Sequence, residues 1–148
     1  MPELNFTPEQ RAAIDTRGST VLVSAAAGSG KTRVLTERLM AYLTDAENPV
    51  DIDRFLVITY TRAAAAELRS RILDGIYARI ASDPENRRLR RQVALCARAE
   101  IGTIHSFCAD FLRANCAALA LAPDFQVADA ERCVLLTALT VLGTTLVL

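Results

Sequence analysis

Residues 25 to 32 read Ala-Ala-Ala-Gly-Ser-Gly-Lys-Thr, directly after the apolar run Val21-Leu22-Val23 and directly before a helical pattern. Phosphate binding needs these residue types in this order. Gly28 and Gly30 free the backbone to turn its N–H groups around an anion, and a helix starting near Lys31 adds the positive end of its dipole. The Lys31 ammonium then reaches the outer phosphates of a nucleotide, and Thr32 offers its hydroxyl to Mg²⁺. Ala25, Ala26 and Ala27, with Ser29, complete the loop, Ala25 standing where the G-x-x-x-x-G-K-[ST] pattern has its first glycine. The bland alternative is a glycine turn between any strand and helix. Lys31 is the only lysine among seventeen basic residues, at a place where a compact ammonium is not interchangeable with a planar guanidinium.

Two further segments carry chemistry. Thr59-Tyr60-Thr61-Arg62 ends one apolar run, and Gly102-Thr103-Ile104-His105-Ser106-Phe107 spans the end of another. Ring faces can stack on bases, while hydroxyls and N–H groups can contact phosphates, so both segments suit a single-stranded nucleic-acid groove. Each residue also has a plainer use. Tyr60 could be a core aromatic, His105 a helix cap, and the Arg87 to Arg91 cluster a solvated helix face.

These residues need a frame. Thr7-Pro8-Glu9-Gln10 reads as a capped helix start closed by Gly18, and Val21 to Ser24 as a buried strand. The next helix carries Leu35, Leu39 and Leu43 on one face, and Phe55 to Tyr60 is a second strand apolar enough to be covered on both faces. Thr61 caps a helix running to about Ala81, with Leu68, Ile72, Ile76 and Ile80 four apart. Ser82-Asp83-Pro84 breaks it and caps another, which faces Leu89 and Val93 inward. Ile101 to Ile104 is a third strand, and a helix from His105 to about Leu121 follows. Strands alternating with helices predict an α/β fold, a parallel sheet flanked by helices, with ligands at the carboxyl ends of the strands.

At 148 residues and half hydrophobic, the chain is long enough for one such domain and too short for two. Zero formal net charge leaves any nucleic-acid surface to be a local one. Met1-Pro2-Glu3 opens no signal peptide, which makes the cytoplasm the expected location. Cys96, Cys108, Cys116 and Cys133 lack metal-site spacing and read as small core residues in a reducing compartment.

In order along the chain, Gln10, Ala-Gly-Ser-Gly-Lys-Thr at 27 to 32, Thr-Tyr-Thr-Arg-Ala-Ala-Ala-Ala-Glu-Leu at 59 to 68 and Thr-Ile-His-Ser-Phe-Cys at 103 to 108 resemble four motifs of superfamily 1 DNA helicases of the UvrD/Rep type. They are the Q motif and motifs I, Ia and Ib. Ile101 to Cys108, with Pro123-Asp124-Phe125-Gln126-Val127-Ala128-Asp129, looks closest to the AddA-type, RecB-like subunits of bacterial helicase-nucleases.

The resemblance covers roughly residues 4 to 131 and implies a partial RecA-like P-loop NTPase domain over 1–122, cut before its Walker B strand, with the start of an inserted region over 123–148. It implies ATP and Mg²⁺ as cofactors. Gln10 would read the adenine edge and Arg33 stack on the base, Lys31 and Thr32 would serve catalysis, and Thr59, Tyr60, Thr61, Arg62, Thr103 and His105 would line a single-stranded DNA track. It further implies a 3′–5′ helicase in double-strand break repair and recombination, whose partner is a second, AddB-like subunit.

The family's Asp-Glu box and its arginine finger have no match here. The uncharged run from Cys133 to Leu148 reads as the end of a truncated or frame-shifted fragment, a membrane anchor being the alternative. Two other readings stay open: a small P-loop phosphotransferase using Asp129 as its metal ligand, and a nucleotide-dependent binding module.

Overall fold

The computed structural model of the chain describes residues 5–122, 124–128, 132–134 and 137–138. Residues up to Ile104 form one compact unit and those from His105 onward a second.

In the first unit, helix α1 (Pro8–Asp15) starts on a full capping box: Thr7 Oγ1 accepts from Gln10 N at 3.3 Å, and Gln10 Oε1 accepts from Thr7 N at 3.0 Å. Thr16 ends it, ahead of Gly18. Helix α2 (Lys31–Leu43) follows the glycine loop and buries Val34, Leu39, Met40 and Leu43. Its inward face is displaced from the expected one by part of a turn, because Leu35 is exposed and Val34 takes the buried position. Strand β1 (Leu56–Thr59) leads into α3 (Arg62–Ser82), whose first turn is capped by Thr61 Oγ1 accepting from Ala64 N at 3.1 Å. Helix α4 (Arg87–Cys96) is capped by Asn86, whose Oδ1 accepts from Leu89 N at 3.1 Å, and not by the Ser82-Asp83-Pro84 break. Strand β2 (Glu100–Thr103) completes the unit.

The two strands pair in parallel with Leu56 opposite Glu100 and Thr59 opposite Thr103. Their core face, with Val57 and Ile101, packs on α3. Leu39, Met40, Leu43, Ile52, Leu68, Ile72 and Ile76 close the core around it. The other face is open: Leu56 and Ile58 are about half exposed, so the apolar run that predicts burial on both sides is covered on one.

Val21 to Ser24 corrects a second expectation. It joins no sheet among the described residues, and Leu22 is 94% exposed. An apolar run becomes a strand only where a neighbour completes its ladder, and β1 pairs with β2 instead.

Arginine forks fasten the helices. Arg69 of α3 donates to the carbonyls of Cys96, Ala99 and Ile101, joining the end of α4 to the start of β2. Arg79 pairs with Glu37 across α3 and α2 at 2.5 Å. The fully buried Gln92 accepts from Ile52 N at 2.9 Å and donates to Asp51 Oδ1 at 2.8 Å, while Arg88 holds the same carboxylate at 2.6 Å. Cys96 alone among the cysteines is buried; Cys108 and Cys133 are exposed and Cys116 half-buried, so the core reading holds for one of four.

In the second unit, α5 (Ile104–Ala114) buries Ala109 and stacks Phe107 near Phe111, with ring centroids 6.2 Å apart. It ends at Ala114 rather than near Leu121, giving way to a 3₁₀ turn at Cys116–Leu119 that closes on Ala120 with φ 51°.

Replacing Gln92 with leucine removes both partners at once, leaving the Ile52 N–H and one Asp51 contact unmet. The expected loss is about 1–3 kcal/mol of unfolding free energy, read by denaturant titration. Asp51 gives a pH signature. The Gln92 amide, then the Arg88 guanidinium, hold its carboxyl below its ordinary value of 3.8. A depressed folded-state pKa stabilises above the unfolded value and is lost as pH falls through the folded one. Thermal melts of Asp51→Asn should therefore show a flatter loss of stability below about pH 4 than the unsubstituted chain, and parallel curves would exclude the carboxylate as the cause.

Candidate functional site

The loop before α2 is built by two left-handed glycines, Gly28 at φ 77° and Gly30 at φ 81°, with Ser29 N donating to Ala26 O at 3.4 Å. That alternation is the backbone form that turns successive N–H groups toward one centre, here at the N-terminus of a helix of thirteen residues. Ala25 lies outside the left-handed region, so alanine replaces the pattern's first glycine there without backbone strain.

Lys31 Nζ lies back along the loop, donating to Ala25 O at 2.7 Å and Ala26 O at 2.6 Å. Thr32 is exposed on the first turn, its carbonyl accepting from Thr36 Oγ1. The glycine geometry, the ammonium on the loop and an exposed hydroxyl beside it fit a Mg²⁺-nucleotide: residues 28 to 32 would hold the phosphates and Thr32 would ligand the metal.

Gln10 reaches the same loop. Its Nε2 donates to Ser29 O at 3.0 Å while its Oε1 completes the capping box, so it serves helix start and loop together. A cavity of about 220 Å³ lies between them, lined by Glu9, Gln10, Ala13, Ser29, Lys31 and Val34. The Glu9 carboxyl is held below its ordinary value by its own backbone N–H, then by the Thr7 hydroxyl. A second cavity of about 250 Å³ runs under Val21 and Val23 to Leu35 and Arg38.

Arg33 does not project freely. Its guanidinium lies 4.8 Å from the centroid of the Phe6 ring, which also carries Arg11 at 5.3 Å. Sequence reasoning misses Phe6, although an apolar residue just before a capping box is a recognisable signal. It misses Arg38 too, which donates to the carbonyls of Ala13 and Ile14 and seats the end of α1 on α2.

At the carboxyl end of the sheet, register brings Thr59 beside Thr103. Thr59 Oγ1 donates to Thr61 O at 2.9 Å and contacts Gly102 O at 3.4 Å, and Thr61 Oγ1 caps α3. Thr103 is buried. Tyr60 is 99% exposed, which removes the core-aromatic reading, and Arg62 is exposed on the first position of α3. His105 follows β2 in the chain and lies within the first turn of α5, whose first residue is Ile104, so it does not cap that helix. The structure joins Thr59–Arg62 with Gly102 and Thr103, and it joins Gln10 with the loop. Among the described residues, no ladder ties the loop to the strands. Asp129 lies outside the described residues, and no described helix is long and apolar enough to cross a membrane.

With this geometry the chain matches the UvrD/REP helicase N-terminal domain over residues 6–145. The chain belongs to that family. It is 52% identical over 132 residues to an ATP-dependent helicase/nuclease subunit of Clostridium acetobutylicum, covering 89% of this chain and 10% of the relative. The protein of the same name from a Thermoanaerobacter species is 52% identical over 131 residues, 88% of this chain and 11% of that protein. A third, from Clostridium novyi, is 49% identical over 136 residues, 92% of this chain and 11% of the relative. The chain thus spans about a tenth of the length of the curated relatives it matches.

The backbone sets a clear contrast between loop positions. Gly30→Ala should cost about 1–2 kcal/mol by denaturant titration, since an alanine is forced into the left-handed region. Ala25→Gly should stay within about 0.5 kcal/mol and leave Mg-ATP affinity in an equilibrium titration unchanged.

Proposed function

We propose that this chain is the N-terminal, nucleotide-binding part of an ATP-dependent DNA helicase of the helicase/nuclease type. The observation that carries the reading is the loop with Gly28 and Gly30 both left-handed, Lys31 folded along it and Gln10 bonded to it, in a chain of the UvrD/REP family.

In this reading the amides of residues 28–32 bind the phosphates of ATP, and Lys31 exchanges the carbonyls of Ala25 and Ala26 for phosphate oxygens. Thr32 would hold Mg²⁺ through its hydroxyl, which would supply charge neutralisation at the outer phosphates. Gln10 faces the adenine edge, and Arg33 with Phe6 forms a stacking surface beside it. Tyr60 and Arg62, with His105, contact single-stranded DNA, while Thr59, Thr61 and Thr103 shape the strand ends that present them. The parent translocates 3′ to 5′ in double-strand break repair and recombination, in the cytoplasm, with a second subunit of the AddB kind.

Binding tests the reading. Mg-ATP should bind the purified chain, and Lys31→Ala should weaken it at least about tenfold, a charge-assisted contact being worth roughly 1.5–3 kcal/mol. Equal affinity of the two would sink it.

The chain should not turn over ATP. The water-orienting carboxylate and arginine finger supply most of the phosphoryl-transfer rate, a finger alone about 10³ to 10⁵, and these residues match neither motif. Phosphate release with saturating single-stranded DNA should stay at background, and robust release that Lys31→Ala abolishes would assign the missing groups to this chain. In the parent, Tyr60→Ala should cost about 1–3 kcal/mol of single-strand affinity in a fluorescence titration, with binding that falls steeply with salt.

A further inference from the structure

A glutamine carboxamide offers two N–H donors on one atom and two acceptor positions on the other, and turning it over exchanges them. Left free, it could meet either purine at the base edge. Adenine presents an N7 acceptor and an N6 donor there, which requires one N–H and one lone pair from the glutamine; guanine presents N7 and O6, both acceptors, which a turned NH₂ group can bridge. Discrimination therefore depends on what fixes the carboxamide.

Both of its ends are fixed by backbone groups of opposite kind. The Thr7 N–H can only donate, and it lies 3.0 Å from Oε1. The Ser29 carbonyl can only accept, and it lies 3.0 Å from Nε2. Turning the carboxamide over would set NH₂ against N–H and oxygen against oxygen, losing two hydrogen bonds and creating two repulsions. The amide lies over Gly30, where a Cβ would sit 3.6 Å from Nε2, in ordinary van der Waals contact. One N–H and one lone pair remain after these bonds are made, and on the N7 edge of a purine they are the complement of adenine and not of guanine.

We infer that the Thr7 backbone N–H and the Ser29 carbonyl are specificity-determining groups, locking Gln10 in the single orientation that admits adenine and rejects guanine nucleotides. This rests on the reading that Gln10 faces the base. It goes beyond that reading by assigning the selectivity to two main-chain groups that never touch the nucleotide.

Proline provides the test, because it removes the N–H at position 7 without changing the backbone there: Thr7 has φ −65°, the value a proline ring imposes. Thr7→Ala is the control, since it loses the same hydroxyl cap and keeps the N–H. ATP, GTP and inorganic tripolyphosphate are titrated against the unsubstituted chain and both variants. The unsubstituted chain and Thr7→Ala should prefer ATP over GTP by about tenfold or more, the size of one bidentate base contact. Thr7→Pro should lower that ratio severalfold, the Ser29 carbonyl still holding the other end of the carboxamide, while tripolyphosphate affinity stays the same in all three.

An undiminished preference in Thr7→Pro, with tripolyphosphate binding intact, overturns the lock and leaves the Gln10 reading standing. No preference in the unsubstituted chain overturns the reading of Gln10 itself, and the lock with it. Should Thr7→Pro lose tripolyphosphate binding through misfolding, the scalar coupling between the Gln10 side-chain nitrogen and the Ser29 carbonyl carbon in the unsubstituted chain decides. Its presence supports the lock, and its absence overturns it.

Discussion

Helix α2 is held between α1 and α3, with Met40 and Leu43 fully buried and Arg38 gripping the last carbonyls of α1. That seating fixes where its first turn points. A loop that binds phosphate through backbone N–H groups is only as well aimed as the helix it opens, because the amides and the helix dipole share one axis. On the upstream side Val21 to Ser24 forms no ladder, so α2 and the Gln10 bond to Ser29 carry the positioning that a paired strand would otherwise share. The apolar contacts deep on α2 therefore help to aim the glycine loop, although they lie about three turns along the helix from it.

Local signals were legible in the sequence and partner-dependent ones were not. The Thr7 capping box, the Thr61 cap and the glycine loop are written within three or four residues, and each forms as its residues direct. The strand at Val21 and the double-sided burial of β1 need neighbours, which composition cannot supply. The face of α2 shifted from Leu35 to Val34 because three apolar positions define a helical stripe only to within part of a turn. Gln10 is the instructive case. Capping and ligand recognition read as rival roles in sequence, yet the carboxamide has bonding positions for both, and its use as a cap is what orients it.

Arginine dominates this chain for a reason visible in its contacts. Arg17 and Arg38 each donate to two carbonyls at the end of α1, and Arg69 to three between the end of α4 and β2, using the fork of a planar guanidinium where a single ammonium would satisfy fewer. The α4 cluster divides differently. Arg88 and Arg91 both turn to Asp51, which makes that part of the cluster a fastening for the turn before β1 rather than a free basic face. Lys31, by contrast, lays a single ammonium back along the glycine loop on the carbonyls of Ala25 and Ala26.

The carboxyl end of the sheet shows a division of labour that residue types alone conceal. Thr59, Tyr60, Thr61 and Arg62 look like four equivalent polar contacts in sequence. The structure spends both hydroxyls on itself: Thr59 closes the turn onto Thr61 and reaches across to β2, and Thr61 caps α3. Those bonds brace the turn, and the exposed side chains it leaves are a ring and a guanidinium. A ring carried on a braced turn would lose less backbone freedom if a base stacked on it, so more of the stacking energy would be retained as affinity. In the proposed DNA track the threonines would thus act through the backbone they brace, as the Thr7 and Ser29 backbone would through Gln10 at the glycine loop.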